Sequence, residues 1–82
     1  MERLKELLDN QTWPRAYKFK FVVKAHLVEM AKTELFEGLE VDERVSAKGS
    51  YVSLTCEQVL RNSDEVLRVY EKAQNIEGII SL

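Results

Sequence analysis

Three short groups of residues have side-chain types that could carry chemistry. His26 is the only histidine, and Glu29 follows it at a spacing that places both side chains on one face of a helix. Such a pair could start a metal site or a general acid–base site, but either site needs further partners that no spacing here supplies. We therefore interpret His26 as an exposed or capping residue at the start of a helix.

The other two groups are a lone thiol and a glycine turn. Cys56 is the only cysteine, which excludes a disulfide within the chain and a cysteine-based zinc site. Lys48-Gly49-Ser50 has residue types that bind phosphate but lacks the strand–loop–helix context of a P-loop. We interpret Cys56 as a buried inert thiol and Gly49 as a turn residue. The sequence thus predicts no catalytic residue, no metal and no cofactor.

The elements that position these groups follow from apolar periodicity. Alternation predicts a first strand over 16–23, and apolar residues at helical spacing predict a helix over 1–9 and another over 25–36. Gly38 is placed to end the second of these helices. The predicted core positions of the three segments are Leu4, Leu7, Leu8, Tyr17, Phe19, Phe21, Val23, Leu27, Met30, Ala31 and Leu35.

A hairpin is predicted in the middle of the chain. The second strand would span 39–48, and Glu43 in its inward set places this strand at a sheet edge. A type II′ turn at Gly49-Ser50 would pair Lys48 with Tyr51 and lead into a third strand over 51–58. The further pairs would be Ala47 with Val52, Ser46 with Ser53, and Val45 with Leu54, which assigns Val45, Ala47, Val52 and Leu54 to the core. A three-residue loop with Gly49 in a bulge is the alternative.

A third helix, started by Asn62 or Ser63, and a last strand over 76–82 complete the pattern. The order β-α-β-β-α-β predicts an α+β ferredoxin-like sandwich with a four-stranded antiparallel sheet. Residues 1–82 would form one domain, with 1–14 as a lead-in helix. Both main helices would cover one sheet face. The other face would be open, carrying Lys18, Lys20, Val22, Arg44, Ser46, Lys48, Tyr51, Ser53, Thr55 and Ser81.

Charge is unevenly distributed along the chain. The net charge is −2, which gives no overall attraction to nucleic acid or anionic lipid. A basic run from Arg15 to Lys24 precedes an acidic stretch from Glu29 to Glu43, so these are either two solvated faces or docking surfaces of opposite sign. No run approaches the roughly 20 apolar residues of a membrane span, and the acidic N-terminal segment does not match a secretory signal. We expect a cytoplasmic protein.

The stretch Ser46-Ala47-Lys48-Gly49-Ser50-Tyr51-Val52-Ser53-Leu54-Thr55 resembles the hairpin of the YbeD-like family, small bacterial proteins of unknown function. Trp13-Pro14 and the closing segment 79–82 are similar to the family's entry into its first strand and its terminal strand. The resemblance implies a ferredoxin-like fold similar to the ACT regulatory domain, and it implies no catalytic residue. ACT-type ligand sites favour glycine after the first strand, where this chain reads Val23-Lys24-Ala25.

We therefore expect a non-enzymatic regulatory or protein-interaction module that binds a partner through its open sheet face or an edge strand. The candidate partner-binding residues are Lys18, Lys20, Arg44, Lys48, Tyr51 and Ser53. A second copy of the chain is one possible partner. A ligand-sensing ACT-like domain is the alternative, followed by a nucleic-acid-binding domain. RNA stacking would require the first strand to be turned over, which would bury its lysines.

Overall fold

The computed structural model describes residues 2–82, in which strands and helices alternate. Met1, where the predicted first helix starts, lies outside the described residues. The elements are helix α1 (Glu2–Asp9), strand β1 (Arg15–Lys24), a 3-10 turn (Ala25–Leu27), helix α2 (Val28–Phe36), strand β2 (Asp42–Val45), strand β3 (Tyr51–Leu60), helix α3 (Ser63–Ala73) and strand β4 (Ile80–Ser81). No helix in this range is long and apolar enough to cross a bilayer.

The four strands form one antiparallel sheet in the order β2-β3-β1-β4. This order, with α2 and α3 as the crossover connections, is that of a ferredoxin-like sandwich, so the predicted fold class is confirmed. β1 and β3 are the central strands and pair along their full length, from Arg15 opposite Leu60 to Lys24 opposite Tyr51.

The alternation predicted for β1 places its aromatic residues in the core. Phe19, Phe21 and Val23 are fully buried, and Tyr17 is half-buried. The Phe19 ring lies 5.8 Å from Phe36 of α2 and 5.6 Å from Tyr70 of α3, measured between centroids. These rings fill the layer between sheet and helices, because large aromatic side chains bury the most apolar surface.

The structure corrects the start of α2. The predicted helix begins with the 3-10 turn, and α-helical geometry starts only at Val28. A 3-10 turn has about 3.0 residues per turn instead of 3.6, so it rotates the following helix relative to the predicted stripe. Val28 is buried as a result, whereas Met30 is 41% exposed.

The hairpin register was predicted wrongly by two residues. The observed pairs are Val45 with Val52, Arg44 with Ser53, Glu43 with Leu54 and Asp42 with Thr55. The connection is neither a type II′ turn nor a three-residue loop, because the backbone N–H of Ser46 donates to the Tyr51 carbonyl (2.8 Å) and Ser46 Oγ accepts from the Tyr51 N–H (3.1 Å). Four residues, 47–50, therefore form the loop, in which Gly49 has φ +74° and donates to the Ser46 carbonyl.

A shift of two residues preserves which face each side chain occupies, since the side-chain period of a strand is two. Val52 and Leu54 are buried as predicted. Val45 and Ala47 are not: Val45 is 69% exposed at the sheet margin, and Ala47 lies in the loop. β2 is also shorter than predicted. Its position at the sheet edge is confirmed, and Glu43 accepts a hydrogen bond from Lys32 Nζ of α2 (2.7 Å).

The last strand is likewise shorter than predicted, and one residue faces the other way. β4 contains only Ile80 and Ser81, which lie opposite Val22 and Phe21. Because Val22 faces outward and Phe21 inward, Ile80 lies on the open side of the sheet and Ser81 on the helix side. The prediction that Ser81 lies on the open face is therefore wrong. Ile76, predicted within this strand, is buried in the segment that follows α3.

The lead-in helix α1 packs against α3. Leu8 is buried, and its carbonyl accepts a hydrogen bond from Trp13 Nε1 (2.9 Å). Ser63 Oγ at the start of α3 donates to Asp9 Oδ1. Leu7, predicted in the apolar stripe, is 61% exposed. One side of α1 thus joins the core while Leu7 stays in solvent.

Candidate interaction surface

The open face is the sheet surface opposite the helices, and the register arranges its side chains in rows. One row crosses all four strands as Ile80, Val22, Ser53 and Arg44. The next row contains Lys20, Thr55 and Asp42. Leu82 extends this row beyond β1, because its N–H donates to the Lys20 carbonyl (2.9 Å). Two further pairs, Lys24 with Tyr51 and Lys18 with Glu57, lie on either side of these rows.

Five of the six candidate residues belong to the rows or pairs of this face as the alternation requires: Tyr51, which is described below, and the four that follow. Ser53 is half-buried at its centre, between Val22 and Arg44. Lys18 and Lys20 are exposed on β1, and their alternate positions place them roughly 6–7 Å apart along the strand. Arg44 is exposed on the edge strand β2. The structure therefore brings these four onto one surface.

Tyr51 and Lys48 do not form the predicted pair. Tyr51 is 42% exposed on the open face and lies opposite Lys24, whereas Lys48 is in the loop 47–50, outside the strand ladder. Lys24 is a member of the face that our sequence analysis did not select. The alternation of Lys18 and Lys20 with the buried aromatics extends to Lys24 and could have identified it. Lys24 Nζ lies 3.5 Å from Glu77 Oε1.

The open face is positive although the chain is negative. It carries Lys18, Lys20, Lys24 and Arg44 against only two carboxylates, Asp42 and Glu57, while the net charge of the chain is −2. Among the described side chains, no carboxylate lies within 4.0 Å of the charged groups of Lys18, Lys20 or Arg44. These three cations are available to an external anionic group.

The acidic stretch has a different arrangement. Lys32 on α2 lies 2.7 Å from Glu43 Oε2 and 4.0 Å from Glu29 Oε1. The hydrogen bond with Glu43 raises the pKa of Lys32 above its ordinary value, and the nearby charge of Glu29 adds to this effect. The one lysine of the stretch thus serves a local ion pair that ties β2 to α2.

Exposed apolar side chains also lie on the open face. Val59, Ile80 and Leu82 are 70%, 51% and 66% exposed. Val59 was not predicted on this face because the predicted third strand ends at Gln58, and Ile80 was not because the predicted orientation of the last strand is reversed. The arginine and tyrosine of this surface are residue types enriched at protein interfaces, whereas its lysines, serine and carboxylates are depleted there, so the face shares only part of that composition.

The residues considered for chemistry lie apart from this face. His26 is exposed in the 3-10 turn, as predicted. Cys56 is buried as predicted, and its burial raises the pKa of the thiol. Residues 2–82 contain no group of three His, Cys, Asp or Glu side chains placed to hold a metal ion.

An apolar crevice opens on the helix side of the sheet, beside β4. Its volume is about 370 Å³, and its walls include Leu4, Phe21, Tyr70, Ala73, Ile79 and Ser81. The Tyr70 hydroxyl lies 3.0 Å from the Tyr17 hydroxyl. Burial, together with the hydrogen bond to Tyr17, raises the pKa of Tyr70 well above its ordinary value, so this hydroxyl is neutral.

Comparison with known families gives one assignment. Residues 10–82 match the family described as "Protein of unknown function (DUF493)". The chain belongs to this family. The match spans all four strands, both crossover helices and every candidate residue of the open face. It is consistent with the resemblance to the YbeD-like family without confirming that name. No curated protein and no solved structure matches the chain.

Proposed function

We propose that this DUF493 member is a non-enzymatic protein-interaction module that binds an acidic partner protein through its open face. The observation that carries the proposal is the pattern of this face. Lys18, Lys20 and Arg44 surround a half-buried centre, with exposed tyrosine and aliphatic side chains alongside. The sheet beneath is anchored by a buried core, so the backbone positions of the cations are fixed and only their side chains must be ordered on binding.

The charge of the face selects the partner. An acidic surface would approach the three cations that are unpaired within residues 2–82, Lys18, Lys20 and Arg44, against two carboxylates, Asp42 and Glu57. This excess increases the association rate and favours the correct orientation. Two open faces of the same chain would place like charges against each other. We therefore favour a different protein over a second copy bound face to face.

A regulatory role in the cytoplasm is part of this proposal. A module that only binds acts by changing the location or activity of its partner, and this agrees with the resemblance to ACT-like regulatory domains. The lone thiol of Cys56 fits a reducing compartment.

Nucleic-acid binding is the second candidate function. The same four cations and Tyr51 lie on the open side of a four-stranded sheet, which is where RNA-recognition domains stack bases. Two observations favour a protein partner instead. Among residues 2–82, Tyr51 is the only aromatic residue on the face, and the exposed aliphatic side chains of Val59, Ile80 and Leu82 suit a protein surface better than stacked bases.

The test compares two charge-reversal variants. K18E/K20E alters the open face, and R68E/K72E is a matched control that reverses two exposed cations of α3. After crosslinking in the native cell, quantitative mass spectrometry should recover the same partner with the wild type and the control. We expect at least tenfold lower recovery with K18E/K20E, and reduced recovery with Tyr51→Ala.

Two outcomes would contradict the proposal. Equal recovery by K18E/K20E and the control would remove the open face from the binding site, provided that circular dichroism shows both variants folded. Co-purification of nucleic acid, with binding that falls steeply as salt rises and recovery that is lost after nuclease treatment, would favour the second candidate.

A further inference from the structure

One side of β1 is left uncovered along half of its length. β4 pairs only with Phe21 and Val22, and the Leu82 N–H adds one bond to the Lys20 carbonyl. In an antiparallel ladder, the N–H and C=O of one residue point to the same side, and successive residues alternate. Because the Lys20 carbonyl points toward β4, Lys18 and Ala16 direct their backbone groups to the same side. Within residues 2–82 no strand pairs with β1 there.

The apolar crevice lies next to this uncovered edge. Ser81 faces inward opposite Phe21, and both residues contribute to its walls. The next inward position on a strand that continued the direction of β4 would lie opposite Phe19. Aromatic rings surround Phe19, since its ring lies 4.8 Å from the Tyr17 ring and 5.6 Å from the Tyr70 ring, measured between centroids. The crevice is thus placed to receive an inward side chain of an added strand.

The outward side of the same edge is basic. Lys18 and Lys20 flank the uncovered backbone on the open face, and both are exposed. Because Leu82 already lies opposite Lys20, an added strand would place its outward side chains opposite Lys18 and Ala16, with the first of them next to both lysines. Carboxylates at those positions would complement their charge, whereas the inward positions would require apolar side chains.

We propose that the Arg15–Phe19 edge of β1 binds an extended segment of a partner polypeptide as an added antiparallel strand. Its apolar side chains enter the crevice between α1, α3 and β1, and its acidic side chains alternate with them on the side of Lys18 and Lys20. Main-chain bonds to Ala16 and Lys18 supply affinity, and the alternation supplies specificity, as in other cases of strand addition. This site shares Lys18 and Lys20 with the open-face site, but it does not use Arg44 or Tyr51.

A second copy of the chain is a poorer occupant. Its own β1 edge would place Lys18 and Lys20 of the two copies against each other. Its other accessible edge strand is β2, whose inward positions are Glu43 and Val45. Docked on β1, β2 would direct a carboxylate toward the apolar crevice and weaken its ion pair with Lys32.

The test uses a synthetic seven-residue peptide of alternating glutamate and leucine, acetylated and amidated at its ends. A matched peptide carries N-methyl groups on every second backbone nitrogen, which removes its strand hydrogen bonds without altering its side chains. We expect the first peptide to slow hydrogen exchange of the Ala16 and Lys18 amides at least tenfold, measured by NMR. The methylated peptide should bind at least tenfold more weakly.

Protein variants locate the site. Lys18→Pro removes the N–H that faces the uncovered side, and Lys18→Thr removes the charge but keeps the N–H. We expect Lys18→Pro to reduce the affinity for the peptide more than Lys18→Thr does. Ala73→Leu should also reduce this affinity, because the larger side chain narrows the crevice. Arg44→Glu and Tyr51→Ala should leave peptide affinity unchanged, which separates this site from the open face.

Three results would overturn the inference. The first is equal affinity for the plain and methylated peptides, a comparison that needs no protein variant to fold. The second is that the peptide changes NMR chemical shifts only in β2 or on the open face around Arg44. The third is a peptide-free dimer, seen by sedimentation, in which the Ala16 and Lys18 amides are already protected.

Discussion

At the residue scale, Glu65 shows how an ionised side chain stabilises a helix start. Asn62 caps α3 by accepting from the Glu65 N–H (3.0 Å), and Glu65 reaches back to accept from the Arg61 backbone N–H (2.6 Å) and guanidinium (3.2 Å). The backbone hydrogen bond, followed by the guanidinium, holds the pKa of Glu65 below its ordinary 4.5. This reciprocal arrangement is a variant of the capping box.

The lowered pKa predicts the pH dependence of a Glu65→Gln variant. Because the folded-state pKa is below the unfolded value, the stabilisation is complete above the ordinary glutamate pKa and is lost as pH falls through the folded value. We expect the wild type to be more stable than Glu65→Gln at pH 7, with a smaller difference at a pH well below the ordinary glutamate pKa of 4.5. Urea unfolding at both pH values measures it. Glu71→Gln, exposed on the same helix, is the control, and a pH-independent difference for Glu65→Gln would contradict the prediction.

At the element scale, strands with buried side chains were predicted more accurately than exposed strands. β1 was predicted closely because its aromatic residues alternate strictly and all face one core. The β2–β3 register was missed because β2 is fully exposed, so core packing does not fix its position. The register there is fixed by hydrogen bonds between Ser46 and Tyr51 across the loop, and no apolar pattern predicts these bonds.

The open face was partly predictable for the same reason. The period of two placed Lys18, Lys20, Arg44 and Ser53 correctly even though the register was shifted, because the shift was an even number of residues. Lys48 was misplaced because its position depends on loop length. The crevice beside β4 could not be predicted, since it arises where α1, α3 and β1 meet in three dimensions.

The short strand β4 is expected to be the least stable part of the sheet. It makes two ladder pairs with β1, whereas β1 and β3 share ten. Local opening of such a segment requires the loss of few contacts, so its amides exchange through small fluctuations. We expect the Leu82 N–H to exchange at least about tenfold faster than amides bonded in the β1–β3 ladder. Native-state hydrogen exchange by NMR tests this expectation, and equal protection would contradict it.

At the scale of the whole molecule, positive and negative charges are concentrated on different surfaces. The open face carries an excess of cations, and the acidic stretch lies on and around α2 and β2. Such a separation creates a field that orients approaching charged partners at low salt. The two proposed sites both use Lys18 and Lys20, so one acidic partner could cover the open face and extend a strand along the β1 edge.

The small size of the domain makes its stability depend on a few core residues. A chain of 82 residues is expected to have a folding free energy of about 4–12 kcal/mol. Phe21 is fully buried and lies 6.1 Å from Phe36 and 5.7 Å from Tyr70, measured between ring centroids. Replacing it with alanine should cost about 3–5 kcal/mol, because the cavity adds to the lost apolar transfer energy.

This cost reaches the whole stability only at the lower end of the expected range of folding free energy, so we expect Phe21→Ala to be strongly destabilised in urea titrations and Phe21→Leu to retain the fold. Tyr51→Ala is the matched aromatic control on the open face and should cost less than about 1 kcal/mol, since a 42% exposed ring loses little burial. If Tyr51→Ala were as destabilising as Phe21→Ala, Tyr51 would be a structural residue of the sheet. A loss of partner binding in that variant would then report unfolding, and Tyr51 would leave the proposed site.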